Sequence, residues 1–108
     1  MNQKPSEMLR KAWALIDAPE KWTQGTCARD FQNKPVVIED DSACRFCSVG
    51  ALIKSTGMFN HEDKKYLDLA TLGIVPFNDY NAWPEVKSAW MKAIALAEED
   101  EAKNEQTI

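Results

Sequence analysis

Apolar side chains recur along this chain mostly at helical spacing. Met8, Leu9, Ala12, Trp13 and Ile16 share one face of a helix expected over residues 7–17. Pro5 and Ser6 precede it, with Ser6 placed to cap the first free amides. Pro19 stops it, because the residue before a proline avoids the α region. Residues 19–22 read as one further short turn. The last helix is the most regular. Pro84 sits in its first turn, and Val86, Ala89, Trp90, Ala93, Ile94 and Ala97 repeat at three- and four-residue intervals. Glu85, Lys87, Ser88 and Lys92 fall on the opposite face.

Between these helices the pattern is more varied. Thr23-Gln24-Gly25-Thr26 is turn-like. Residues 27–30 and the β-branched run Val36-Val37-Ile38 read as two short strands around a turn at Gln32–Pro35, making a small hairpin. Glu39, Asp40, Asp41 and Ser42 combine acids with a capping serine and signal a helix over residues 43–55. One stripe of that helix would carry Phe46, Val49, Gly50 and Ile53, and the next Cys44, Cys47, Ala51 and Leu52, so it is expected to be the most buried. Gly57 suits the left-handed position that closes it. Asn60 caps a third helix, with His61, Glu62 and Asp63 in its first turn; Tyr66, Leu67, Leu69 and Ala70 form its apolar side and Gly73 ends it. Residues 74–81, with Pro76 and the Asn78-Asp79 pair, read as a loop.

The expected fold is therefore mainly α: a small four-helix domain with a short irregular or β-hairpin insertion between helices 1 and 2. The chain has 108 residues, which fits a single domain over residues 1–99 followed by a tail over residues 100–108. No repeat or low-complexity linker divides it.

Charge adds one feature. Five acids and one base after Ala97 account for the whole net charge of −4, while residues 1–97 are neutral. The tail is expected to be a solvated, mobile and dispensable acidic segment. A neutral body with no basic patch is not the composition of a nucleic-acid binder. Nor is any stretch basic and amphipathic or long and apolar enough to act at a membrane. The start of the sequence has no apolar signal region, and three cysteines are an odd number, so a reducing cytoplasm is expected rather than a disulfide scaffold.

Three segments in this order resemble a known family. They are Trp22-Thr-Gln-Gly-Thr-Cys-Ala-Arg29-Asp30, Arg45-Phe-Cys47-Ser-Val-Gly50-Ala-Leu52, and Asn78-Asp79 ahead of the closing helix. The chain is similar to a family of small, functionally uncharacterised bacterial and phage proteins carrying W-T-Q-G-x-x-A-R-D, R-[WF]-C-x-[LV]-G-A-L and N-D motifs. That resemblance implies no activity, because the family is a domain of unknown function. Cys27 stands where the family has a larger apolar residue, which implies a core position; the acidic tail is this chain's own.

Candidate chemistry is sparse. Cys44-x-x-Cys47 at a helix start has the spacing of a redox pair but lacks a thioredoxin-like βαβ context. Cys27, Cys44, Cys47 and His61 have the ligand types of a zinc site, with one cysteine knuckle where such sites usually show two. Both are weaker than small thiols on a buried helix face, so the thiols are expected to be reduced, metal-free and mostly buried. His61, the only histidine, reads as a surface residue. No glycine-rich phosphate loop or catalytic triad is visible, and no cofactor is expected. Trp13 and Trp90 lie on core faces; Trp22 and Trp83 stand at helix edges, as core, lid or interface anchor.

The remaining polar group is Thr23, Gln24, Arg29, Asp30, Asn78 and Asp79, all in expected loops or strand ends. These are expected to meet in space, with Arg29 pairing Asp79 or Asp30. The expected function is a non-enzymatic protein–protein interaction module with a protein partner, in a phage setting a binder or inhibitor of a host protein. The alternatives are a small ligand-binding protein or enzyme using the Arg29/Asp30 and Asn78/Asp79 loops, and a zinc-stabilised module.

Overall fold

Residues 4–57 and 61–106 are described by a computed structural model, without the side chains of residues 61, 63 and 104–106. Helix α1 spans Pro5–Trp13, and a 3-10 turn follows at Pro19–Lys21. Two short strands, β1 (Ala28–Arg29) and β2 (Arg45–Phe46), precede α2 (Ser48–Thr56), α3 (His61–Thr71), α4 (Ile74–Tyr80) and α5 (Trp83–Gln106). The mainly helical expectation holds, with five α-helices among the described residues in place of four. Helix α5 packs along α1 and α3, and α1 also rests on α2. Leu9, Ile16, Leu52, Leu67, Ile74 and Trp90 fill the space between them.

The insertion contains strands, but they pair differently from expectation. β1 pairs antiparallel with β2, Ala28 opposite Phe46 and Arg29 opposite Arg45, and the 36–38 run forms no strand. Only Pro35 bridges back to Arg29, and the Val36 amide donates to the Ala28 carbonyl at 3.1 Å. Burial decides between the two partners. Ala28 and Phe46 are both in the core, whereas Val37 is exposed.

Because Arg45 and Phe46 are extended, α2 begins at Ser48 and not near residue 43. Asp40 closes a turn of its own instead of opening a helix: its Oδ1 accepts from the Ser42 hydroxyl at 2.6 Å and amide at 2.8 Å. The Ser42 hydroxyl bond is the main cause of a lowered Asp40 pKa. The cap of α2 is Cys47, whose Sγ accepts from the Gly50 amide at 3.2 Å. Gly57 ends the helix in the left-handed region, as expected (φ 81°). The Asn60 cap expected for α3 lies outside the described residues.

Helix α4 occupies what reads as a loop. Leu72 and Gly73 turn the chain with φ of 66° and 134°. Asp68 of α3 then accepts from the Ile74 amide at 2.8 Å and so satisfies a free donor of α4's first turn. Pro76 sits in that turn, where a missing amide costs little.

The acidic tail continues α5 and touches the body. Lys4, not Ser6, is the N-cap residue of α1, and it makes no side-chain cap. Glu101 supplies one instead: its carboxylate accepts from the Ser6 amide at 3.0 Å and from the Ser6 hydroxyl at 2.6 Å. A carboxylate there also suits the positive end of the α1 dipole. Asp100 accepts from the Tyr66 hydroxyl at 3.0 Å. The segment expected to be a mobile, dispensable tail is thus helical as far as Gln106 and carries two docked side chains.

Two outcomes follow. Glu101→Ala should lower stability by about 1–2 kcal/mol, the usual effect of losing a cap. Glu99→Ala should change it by under about 0.5 kcal/mol, since exposed ion pairs contribute little, and among the described residues Glu99 pairs with the exposed Lys103, at 3.5 Å. Urea unfolding distinguishes them, and equal losses would contradict the capping role. Burial, with Asp100 second, pushes the Tyr66 hydroxyl up to about 12 from its usual 10. A raised folded-state pKa gives stability that is intact below pH 10 and lost as pH rises through about 12. Melting temperatures should therefore fall more steeply over that range in the native chain than in Tyr66→Phe.

Candidate functional site

Four of the six candidate polar residues meet where the 23–25 turn, the start of α2 and α4 come together. Asn78 is at the centre, 2% exposed. Its Oδ1 accepts from Trp22 Nε1 at 2.8 Å, the Ser48 amide at 3.0 Å and the Ser48 hydroxyl at 2.8 Å. Its Nδ2 donates to the Thr23 carbonyl at 3.1 Å. The Ser48 hydroxyl in turn accepts from Trp90 Nε1 at 2.9 Å. A line of hydrogen bonds thus runs from the surface turn through Asn78 and Ser48 to the buried tryptophan of α5.

Neighbouring residues extend this network. Gln24 Nε2 donates to the Asn78 carbonyl at 3.0 Å and the Asn81 carbonyl at 2.7 Å, satisfying the end of α4. Asp79 accepts from the Gly25 amide at 3.0 Å. Gly25 has φ 81°, a conformation that glycine adopts without steric cost.

Arg29 joins at one remove. Its guanidinium donates to Thr23 Oγ1 at 2.8 Å, the Asn33 carbonyl at 3.1 Å and the Gln24 carbonyl at 3.2 Å. It ties the turn down, but through Thr23 and Gln24, and not through the expected pairing with Asp79 or Asp30. Asp30 stands apart. Its Oδ1 accepts from the Gln32 and Lys34 amides, each at 2.9 Å, and closes its own turn. The polar atoms of this group are therefore largely engaged with one another and with backbone.

The edge tryptophans are also structural. Trp22 is bound to Asn78, and Trp83 donates from Nε1 to the Ile16 carbonyl at 3.0 Å while stacking on Trp13 at 6.2 Å.

The cysteines differ from expectation. None lies on a buried helix face: Cys27 and Cys44 are exposed and Cys47 is half-buried. Cys27, expected in the core, instead crosses the first turn of α2, which Gly50 makes possible. A Cβ at residue 50 would stand 2.1 Å from the Cys27 carbonyl oxygen. Burial pushes the Cys47 thiol up to about 11. Among the described residues, no three His, Cys, Asp or Glu side chains are grouped to hold a metal ion. The His61 side chain lies outside the described residues.

Beside Asn78 and Asp79, a cavity of about 240 Å³ is lined by Gly25, Cys27, Cys47 and Val75 among others. A wider groove of about 550 Å³ runs along α3 and its turn into α4, between Lys64, Lys65, Asp68, Leu69, Leu72 and Gly73. Sequence reasoning missed this groove, because Leu69 reads as core on a helical wheel and Leu72 as the last residue before a helix-ending glycine.

The fold and site define a small helical domain whose one irregular insertion is fastened by a buried asparagine. A family model described as Family of unknown function (DUF6197) matches residues 1–94, and the chain belongs to that family. No curated protein and no solved structure matches it. No helix among the described residues is long and apolar enough to cross a membrane.

Asn78→Ala would strand the Trp22 indole, the Ser48 amide and the Thr23 carbonyl together. The expected cost is about 3 kcal/mol, against about 1 kcal/mol for Asp30→Ala, whose turn is solvated. Urea denaturation of both variants measures the difference, and equal costs would mean that Asn78 is not the centre of the network.

Proposed function

We propose that this domain is a non-enzymatic protein–protein interaction module that binds a partner protein through the corner between α3 and α4. One observation carries the reading. Leu72 is 98% exposed and holds a left-handed backbone conformation that a leucine rarely adopts. Leu69, at 62%, and Val75, at 50%, flank it in sequence. An exposed leucine in a conformation that costs about 1 kcal/mol or more is more readily explained by a contact it makes than by the fold. The adjoining groove has Lys64, Lys65 and Asp68 as a polar rim, in keeping with the anatomy of protein interfaces.

The engaged polar network supports the same reading. Thr23, Gln24, Arg29 and Asn78 serve the insertion and leave few donors or acceptors for a substrate. The cavity beside Asp79, about 240 Å³, is also below the roughly 300–1,000 Å³ of most small-molecule sites. In a phage setting, the partner would be a host protein.

Leu72→Asn tests the proposal, because asparagine suits a left-handed position and removes the exposed apolar side chain. The melting temperature should stay level or rise. Proteins captured specifically by the native chain from a lysate of the source cells should be lost with Leu72→Asn and kept with Lys54→Ala, an exposed change on α2. The reading fails if the captured set is the same for the native chain and Leu72→Asn, or if the native chain captures nothing above a blank matrix.

A further inference from the structure

Cys27 and Cys47 are twenty residues apart in sequence and face each other across the β1–β2 ladder. Ala28 is directly opposite Phe46 in that antiparallel pairing, so the next residues outward, Cys27 and Cys47, are opposite one another. The Cys47 amide donates to the Cys27 carbonyl at 3.2 Å, which fixes this register. Opposed residues of an antiparallel pair put their side chains on the same face, with Cα atoms roughly 5.5 Å apart when hydrogen-bonded. That lies inside the range of about 4.4–6.8 Å that a disulfide spans. Both cysteines line the cavity beside Asp79. Gly50 lets the Cys27 backbone come this close to α2.

We propose that Cys27 and Cys47 form a reversible disulfide site, oxidised by exchange with a low-molecular-weight disulfide of the glutathione type. Cys27 is the exposed thiol and meets the reagent first. Its thiolate attacks one sulfur of the small disulfide; the reagent's S–S bond breaks, and one small thiolate leaves and takes up a proton. Cys47 then loses its proton to solvent and attacks the Cys27 sulfur, expelling the second small thiol. Two protein thiols become one disulfide, and one small disulfide becomes two thiols. Burial keeps Cys47 protonated and so assigns it the resolving step. Cys44 has no part in the reaction. The sequence motif points to Cys44 and Cys47, but Cys44 lies before β2, where its amide is bonded to the Arg29 carbonyl at 2.9 Å. The oxidised form would clamp the 25–27 turn to the start of α2.

The test uses the full chain in its native state with oxidised glutathione, followed by acid quenching, alkylation and tryptic mapping. Cleavage after Lys21, Arg29, Arg45 and Lys54 separates the three cysteines onto three peptides. The expected product is a peptide pair joined through Cys27 and Cys47, formed equally in Cys44→Ser. In Cys47→Ser, where serine is itself a good helix cap, glutathione should remain on Cys27 at least about tenfold longer than in the native chain, because no thiol resolves it. Oxidation should also raise the melting temperature, and dithiothreitol should reverse the change. A dominant link through Cys44, a Cys27–glutathione adduct equally long-lived in both proteins, or a melting temperature lowered by oxidation would each overturn the proposal.

Discussion

The side-chain carbonyl of Asn78 is the constraint on which the insertion depends. It accepts from the Trp22 indole and from both the amide and the hydroxyl of Ser48, three donors on two separate segments of the chain. Each of those donors is withdrawn from bulk water and would need another acceptor if Asn78 were absent. The Ser48 amide is one of the free donors at the start of α2, so Asn78 completes what the Cys47 thiol begins. Because Ser48 also receives the Trp90 indole, the placement of α2 and that of α5 are set by the same pair of side chains. A two-residue ladder is far too short to hold a hairpin by itself. Here it is held by Asn78 from one side and the Phe46 and Ala28 packing from the other.

Much of the helical frame was legible in the sequence. The α5 stripe of Val86, Ala89, Trp90, Ala93, Ile94 and Ala97 is buried throughout. Leu9, Ala12 and Ile16 behave as their spacing implies. What escaped were boundaries set by distant partners. Helix α4 has its cap in Asp68 of the preceding helix, and α1 has its cap in Glu101, ninety-five residues away from Ser6. Local signals cannot show caps of this kind. The start of α2 was placed too early because Asp40 and Ser42 have the chemistry of a cap and use it in a turn.

The candidate site was legible in its membership more than in its role. Thr23, Gln24, Asn78 and Asp79 do converge, since each is a turn or helix-end residue with a short polar side chain. Their pairing is not visible from composition, which makes Arg29 and Asp79 look like natural partners. In the fold, Arg29 meets carbonyls and a hydroxyl, and Asp79 meets a backbone amide. The three cysteines show the reverse. Their spacing singles out the pair three residues apart in sequence, whereas the strand register brings together the pair that looks unrelated.

The capping of α1 by Glu101 bears on the order in which the chain can be assembled during synthesis. Residues leave the ribosome from the N-terminus onward, and domains tend to fold as units once enough chain has emerged. Helix α1 is made well before the carboxylate that satisfies its Ser6 amide, which lies ninety-five residues further along the chain. A helix of nine residues is too short to persist alone in water. Until α5 is complete, then, the N-terminal segment can rest on α2 but lacks its second packing partner and its cap. The helix made first within this domain is accordingly among the last of its parts to become secure.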